Sequence, residues 1–244
     1  MGFMSLNVFE IRNYTIKPHM RDHFISYFED NFIHTLEAAD MHVLGQFRLV
    51  GEPDHYVWLR GYTNMQSRYD SLHMFYDGPV WKKHRTTTNS MIVDSDNVHL
   101  LRPLDASFDL TCGQTAKKVA ASIAASTVSL QTGLIAVDIY HGDRQAIIDG
   151  FQSQIAPAYQ DAGIQLRGCF VAEMAENTFP RHPAFQNEDE FVVITAHESE
   201  AAGRKQRSKL APVIEKALGK HLHAPAESLL LLPTLRSPLR YQPN

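Results

Sequence analysis

Residues 8–18 read VFEIRNYTIKP, and the fold follows from how this stretch alternates. Apolar and polar side chains recur with a period of two, the pattern of a β-strand with two unlike faces. Phe9 and Ile11 fall on one face, and Glu10, Arg12 and Tyr14 on the other. Pro18 ends the run, because it has no amide hydrogen to extend a ladder.

Outward from this strand, Ile25, Phe28, Phe32 and Leu36 recur at three- and four-residue spacing, which predicts a helix with one apolar stripe, closed by Asp40 as a turn residue. MHVLGQFRLV (41–50) and HYVWLRGY (55–62) read as strands around a short turn holding Gly51, Pro53 and Asp54, so an antiparallel hairpin is expected. A second helix begins near Gln66 with Tyr69, Leu72 and Phe75 or Tyr76 at helical spacing. It must break at Asp77-Gly78-Pro79, then resume through Trp81 and Lys82. DNVHLLRPL (96–104) completes the unit as a strand. The order is βαββαβ, the ferredoxin-like arrangement.

The second half copies this order. Strands are expected at IAVDIY (135–140), IQLRGCFVAEM (164–174), EFVVITAHES (190–199) and SLLLLPTL (228–235), with helices over 144–163 and 203–221. Between the halves, residues 105–132 are rich in Ala, Ser and Thr and predict a mostly helical connector. The expected division is a first ferredoxin-like domain over 1–104, the connector over 105–132, and a diverged second domain over 133–244. A βαββαβ sheet is covered by helices on one face only, and its other face needs a cover. The expected class is therefore α+β: tandem ferredoxin-like repeats whose sheets pack face to face within one chain as a pseudo-dimeric α/β barrel, related by a pseudo-twofold axis. Tyr56, Trp58, Phe191 and Val193 are expected to fill the shared interior.

The chain of 244 residues carries a net charge of -4, which gives no reason to expect nucleic acid or an anionic membrane surface as partner. No apolar run is long enough to span a bilayer. The start shows neither a secretory signal nor an Arg-rich transit peptide, and Cys112 and Cys169 form no motif, so a reduced cytoplasmic protein is expected.

FEIRNYTIKP (9–18), GQFRLVGEPDHYVWLRGYTN (45–64), DGPVW (77–81) and DNVHLLRPL (96–104) together resemble the NIPSNAP family, within the dimeric α/β-barrel superfamily. The likeness runs over about residues 6–104; in the second half Asp138 and Tyr140 stand roughly where Glu10 and Arg12 do. It implies the ferredoxin-like fold and barrel pairing, and little about chemistry. Eukaryotic members are linked to mitochondria and vesicle traffic, and related barrel families include haem-degrading monooxygenases, cofactor-free quinol oxygenases and isomerases.

Strand alternation supplies the candidate site. If Phe9, Ile11, Val57 and Leu59 face the helices, then Glu10, Arg12, Tyr14, Tyr56, Trp58, Arg60 and Tyr62 face the barrel interior, joined by Gln46, Arg48 and His99. Arginine grips a carboxylate with two parallel hydrogen bonds, and aromatic rings supply flat apolar walls. A small aromatic or anionic metabolite suits such a lining, bound on the first half only. Satisfied ion pairs at a barrel seam, with no ligand, explain the same residues equally well. His84, His73 and Tyr14 are candidates for catalysis, the histidines because they titrate near neutral pH. His19 with His23, and His221 with His223, have spacings a metal can use but lack further ligands, so no metal is expected. No cofactor is expected either, with haem as the alternative. The function read from sequence is small-molecule binding with or without cofactor-independent catalysis. The competing readings are an assembly protein, a homo-oligomer included, and a haem-binding monooxygenase-like protein.

Overall fold

The computed structural model describes residues 5–105, residue 110 and residues 133–243. The expected connector helix, with Cys112, lies outside the described residues apart from Asp105 and Leu110.

The first half runs β1 (Val8–Ile16), α1 (Arg21–Asn31), α2 (Ile33–Ala38), β2 (His42–Leu49), β3 (His55–Tyr62), α3 (Met65–Tyr76), α4 (Pro79–Met91) and β4 (Ile92–Pro103). Asn64 caps α3 by accepting a hydrogen bond from the Ser67 amide at 2.8 Å. The break between α3 and α4 falls where expected. Pro79 opens α4, and a Cβ on Gly78 would stand 2.6 Å from the Met74 carbonyl oxygen. Asp40 adopts φ 58°, the left-handed turn that ends the first helical segment.

The second half repeats the order as β5 (Leu134–His141), α5 (Arg144–Gly150), a π-helical turn (Phe151–Ile155), α6 (Ala156–Asp161), β6 (Gln165–Ala172), β7 (Glu190–His197), α7 (Glu200–Leu218) and β8 (Glu227–Pro233). The wide turn lies just before Pro157, which offers no amide to the ladder and crowds the preceding turn.

The eight strands close into one barrel in the order β1-β3-β2-β8-β5-β7-β6-β4, with β4 returning to β1. Each half contributes four strands, and the halves join through β2 with β8 and β4 with β6. The chain thus closes its own barrel, and sheet edges are abolished without a second copy.

The faces, however, are the reverse of those expected from sequence. Phe9, Ile11, Val57 and Leu59 pack with Ile135, Val137, Val192 and Leu231 in a core drawn from both halves, which fills the barrel. Tyr14, Tyr56, Trp58 and Tyr62 pack instead against Phe24, Phe28, Phe32 and Phe75 of the first half's helices. Phe191 and Val193 likewise lie under the second half's helices, beside Ile147, Phe151 and Leu210. The physical reason is room and partners. The inside of an eight-stranded barrel is narrow, so mostly aliphatic side chains with Phe9, Phe47 and Phe170 fill it, whereas the wider layer beneath the helices holds the larger number of rings and brings three arginines to Glu10. Among the described residues, no helix is long and apolar enough to cross a membrane.

Candidate functional site

The antiparallel register of β1 and β3 sets Glu10 opposite Arg60, Arg12 opposite Trp58 and Tyr14 opposite Tyr56. All six side chains are buried between the first half's sheet and its helices. Glu10 is the hub. Its Oε2 takes Arg12 Nη1 at 2.7 Å and Arg60 Nε at 2.7 Å, and its Oε1 takes Arg68 Nε from α3 at 2.6 Å. Burial alone would raise the Glu10 carboxyl, but Arg60, Arg68 and Arg12 outweigh it and hold it well below the usual carboxylate range. Three buried guanidiniums therefore share one carboxylate. Removing charge from water is costly, so such a surplus stands out against the rule that buried charges are paired.

Beside this cluster lies a cavity of about 260 Å³, between the sheet and α1–α4. Tyr14 and Trp58 line it from the strands, Phe28, Phe32, Phe75 and Trp81 from the helices, and Asn89 and Asp96 from α4 and β4. The rings meet edge to face, as quadrupoles prefer: Phe28 on Trp58 at 5.0 Å and 64°, Tyr76 on Trp81 at 5.0 Å and 79°. Tyr14 Oη accepts from Arg12 Nε at 3.0 Å, which leaves its own hydrogen to donate. Among the described residues, Trp58 Nε1, Tyr62 Oη and Arg68 Nη2 are buried and find no hydrogen-bond partner.

The cover comes from the second half. The segment between β6 and β7, residues 173–189, crosses to the first half, where the Phe185 backbone bonds β4 at Val98 and Leu100. Phe179 is buried in the first half's core. Asn177 Oδ1 accepts from Arg68 Nη1 at 3.0 Å, and Arg181 and His182 line the cavity. His182 Nδ1 stands 3.3 Å from Arg12 Nη2. A guanidinium only donates, so Nδ1 accepts and the ring proton is assigned to Nε2. Burial, with Arg12 and Arg60 nearby, pushes the His182 imidazole down to about 2, so it stays neutral.

Of the residues singled out from sequence, Glu10, Arg12, Tyr14, Trp58, Arg60 and Tyr62 are brought together, but under the helices and not inside the barrel. Gln46 joins them, its Oε1 accepting from Tyr56 Oη at 3.2 Å, and Arg48 leaves for Asp22 at the surface, 2.8 Å away. His99 departs from the group. It pairs opposite Ile11 on the barrel-facing side and meets Glu190 of β7 at 2.5 Å, tying the two halves together. His84 Nδ1 bonds Tyr27 Oη at 2.7 Å, and His73 bonds Asp77 at 2.8 Å near the surface; neither lines the cavity. Sequence reasoning missed Arg68, Asn177 and His182. Arg68 had a signal, since it shares the stripe of Leu72 and Phe75 at helical spacing. Asn177 and His182 had none, as they lie in an irregular segment far along the chain.

In the second half, Asp138 occupies the place of Glu10, also under the helices, but it is satisfied. Arg207 grips it with two bonds of 2.6 Å, and Ser228 Oγ adds a third at 2.5 Å. Haem does not fit the first-half cavity. A space of about 260 Å³ suits one or two rings, given that roughly 150 Å³ holds benzene, and is too small for a tetrapyrrole. The His182 lone pair is already engaged by Arg12, and His84 by Tyr27. Among the described residues no group of three or more His, Cys, Asp or Glu is placed to hold a metal.

Residues 9–107 match the NIPSNAP family model. No curated protein matches the chain. Among solved structures, the chain is similar to a putative monooxygenase from Lactobacillus acidophilus NCFM, at 11% identity and TM-score 0.58, covering 93% of this chain and 94% of that one. A second protein of that name, from Fusobacterium nucleatum subsp. nucleatum, gives 7% identity and TM-score 0.61 over 95% of this chain and 94% of its own. A NIPSNAP family protein from Agrobacterium tumefaciens covers 43% of this chain with 92% of its own, at 16% identity and TM-score 0.39. At these identities the two full-length likenesses are likenesses of fold.

Proposed function

We propose that this protein binds a small aromatic ligand in the cavity beneath the helices of its first half. The observation that supports the reading best is the cavity itself. Its walls are largely aromatic, Arg12 of the buried arginine cluster bonds two of its lining residues, Tyr14 and His182, and part of its cover is supplied by the other half of the chain. Apolar walls with a few placed polar groups are the usual build of a small-molecule site. A purely structural ion-pair cluster would not need a cavity beside it, nor a buried indole N–H left without a partner.

Fold likeness to proteins named as monooxygenases carries no reaction over to this chain. The histidines of the cavity region argue for binding before catalysis. The lone pair on His182 Nδ1 is taken up by Arg12, so the ring serves as a donor and not as a base. Cofactor-independent chemistry at this cavity could draw on Tyr14, Tyr76 or Asp96 of its lining, or on the ligand itself.

The test is a thermal-shift and calorimetric screen with one- and two-ring aromatics on the wild type and on Asn89→Trp, which places bulk at the cavity rim. A bound ligand stabilises by RT ln(1 + [L]/Kd), about 2.7 kcal/mol at a hundredfold excess over Kd. Binding by the wild type and its loss in Asn89→Trp are expected. No binding of any aromatic by the wild type would sink the reading.

A further inference from the structure

Three polar groups of the cavity lining, next to the buried arginines, have hydrogens to give. Tyr14 Oη already accepts from Arg12 and has only its hydrogen left to give. Trp58 Nε1 is a donor only, buried and without a partner among the described residues. His182 accepts at Nδ1 from an obligate donor, so its remaining nitrogen, Nε2, is also a donor. Arg12 and Arg60 stand behind these groups, each within 6.0 Å of the Trp58 ring centroid. Glu10, the carboxylate of the cluster, is saturated by Arg12, Arg60 and Arg68. One negative charge against three positive leaves the cluster two positive charges in excess. The amide and carboxylate acceptors of the lining, Asn89 and Asp96, are exposed, and the hydroxyls of Tyr76, Thr88 and Ser95 can both donate and accept.

A ligand seated against such a wall must bring acceptors, because a donor facing a donor leaves both unpaired in a dry site, and unmade buried hydrogen bonds are costly. A negative charge on that acceptor gains further from the surplus of guanidinium, since Coulombic interaction is strong where water is excluded. We infer that the ligand is a one- or two-ring aromatic carrying an ionised oxygen acid, a carboxylate or phenolate, whose oxygen docks on the donor set of Tyr14 Oη, Trp58 Nε1 and His182 Nε2. This inference rests on the cavity being the ligand site proposed above. The cavity volume sets the ring count, and the donor set with its cationic backing sets the head group. An aromatic ammonium of the same size is excluded by the same atoms that hold the acid.

The experiment is calorimetry at neutral pH with a matched naphthalene series: 2-naphthoate, 2-acetylnaphthalene, naphthalene and 2-(aminomethyl)naphthalene, the last protonated. The expected order is naphthoate tightest, the neutral ketone next, then the hydrocarbon, with naphthoate at least tenfold tighter than the ammonium compound. Tyr14→Phe keeps the ring and removes the hydrogen-bonding hydroxyl. It is expected to weaken naphthoate about tenfold, as charge-assisted hydrogen bonds suggest, and to leave naphthalene unchanged. Naphthalene binding as tightly as naphthoate, or the ammonium compound matching naphthoate, overturns the inference while the cavity reading survives. Failure of the whole series to bind overturns both. The wild-type series decides the question even where the variant does not fold.

Discussion

Arg12 Nη2 and His182 Nδ1 lie 3.3 Å apart although 170 residues separate them in sequence. One stands on the first strand of the first half and the other in the segment between β6 and β7 of the second half. The contact makes the candidate site a joint product of both halves, and it ties the chemistry of the cavity to the way the barrel closes.

Asn177 is one of the residues that hold this cover in place. Its Oδ1 accepts from Arg68 Nη1 and from the Phe179 amide, and its Nδ2 donates to the His182 carbonyl at 2.8 Å. Asn177→Ala removes all three bonds and leaves a buried guanidinium short of a partner. A loss of about 1–3 kcal/mol in urea unfolding is expected, together with weaker binding of aromatic probes. Unchanged stability would mean that Phe179 packing, the Phe185 backbone bonds and the His182–Arg12 contact hold the segment without Asn177.

Glu10→Gln strips from three buried arginines the one carboxylate that pairs with them among the described residues. Breaking a buried charge cluster from one side costs about 3–5 kcal/mol, so a large fall in melting temperature at neutral pH is expected. The sign of the pH effect follows from the lowered carboxyl of Glu10. The stabilisation is fully present above the ordinary carboxylate range and is lost as pH falls through the lower, folded-state value. The gap between wild type and Glu10→Gln should therefore persist at mildly acidic pH and narrow only in strong acid, as read from denaturant titrations at a series of pH values.

His182 predicts a second acid dependence at higher pH. Its imidazole is pushed from the ordinary histidine range down to about 2, so the folded state stays neutral where the unfolded state binds a proton. Stability is then lost as pH falls from about 6.5, the ordinary histidine value, towards about 2. The slope is at most about 1.4 kcal/mol per pH unit, one proton's worth. His182→Gln keeps a polar side chain but cannot titrate, and its stability between about pH 4 and pH 6.5 should fall less steeply than that of the wild type. Parallel slopes would show that His182 does not titrate as described.

Asp138→Asn tests the asymmetry between the halves. Asp138 takes both nitrogens of Arg207 and the Ser228 hydroxyl in a satisfied pair under the second half's helices. The substitution should lower stability while leaving aromatic binding at the first-half cavity unchanged, because sites this distinct and without shared partners behave additively. Altered binding would show that the halves are coupled through the barrel.

At the far end of the chain, Leu239 is fully buried in the barrel core, and its amide bonds the Leu44 carbonyl at 2.9 Å. Leu239→Ala should cost about 2–5 kcal/mol by leaving a cavity there, measured by urea unfolding.

The element order and the partition of each strand into two faces are legible in the sequence. VFEIRNYTIKP set Glu10, Arg12 and Tyr14 on one side because a strand's side chains alternate strictly, and Asp77-Gly78-Pro79 broke the helix because proline lacks an amide hydrogen. Those are local constraints, so they are legible locally. Which face turned inward was not. Both faces of β1 are buried here, one by the opposite half and one by helices, so alternation could separate Phe9 and Ile11 from Glu10 and Arg12 but could not say which layer each would enter. That choice came with barrel closure, because it depends on the width of the closed barrel and on partners arriving from elsewhere. Arg68 comes from α3, and Asn177 and His182 from the segment after β6. A buried guanidinium is stable where enough acceptors converge on it, and that convergence is a property of the folded chain and of no single stretch of it.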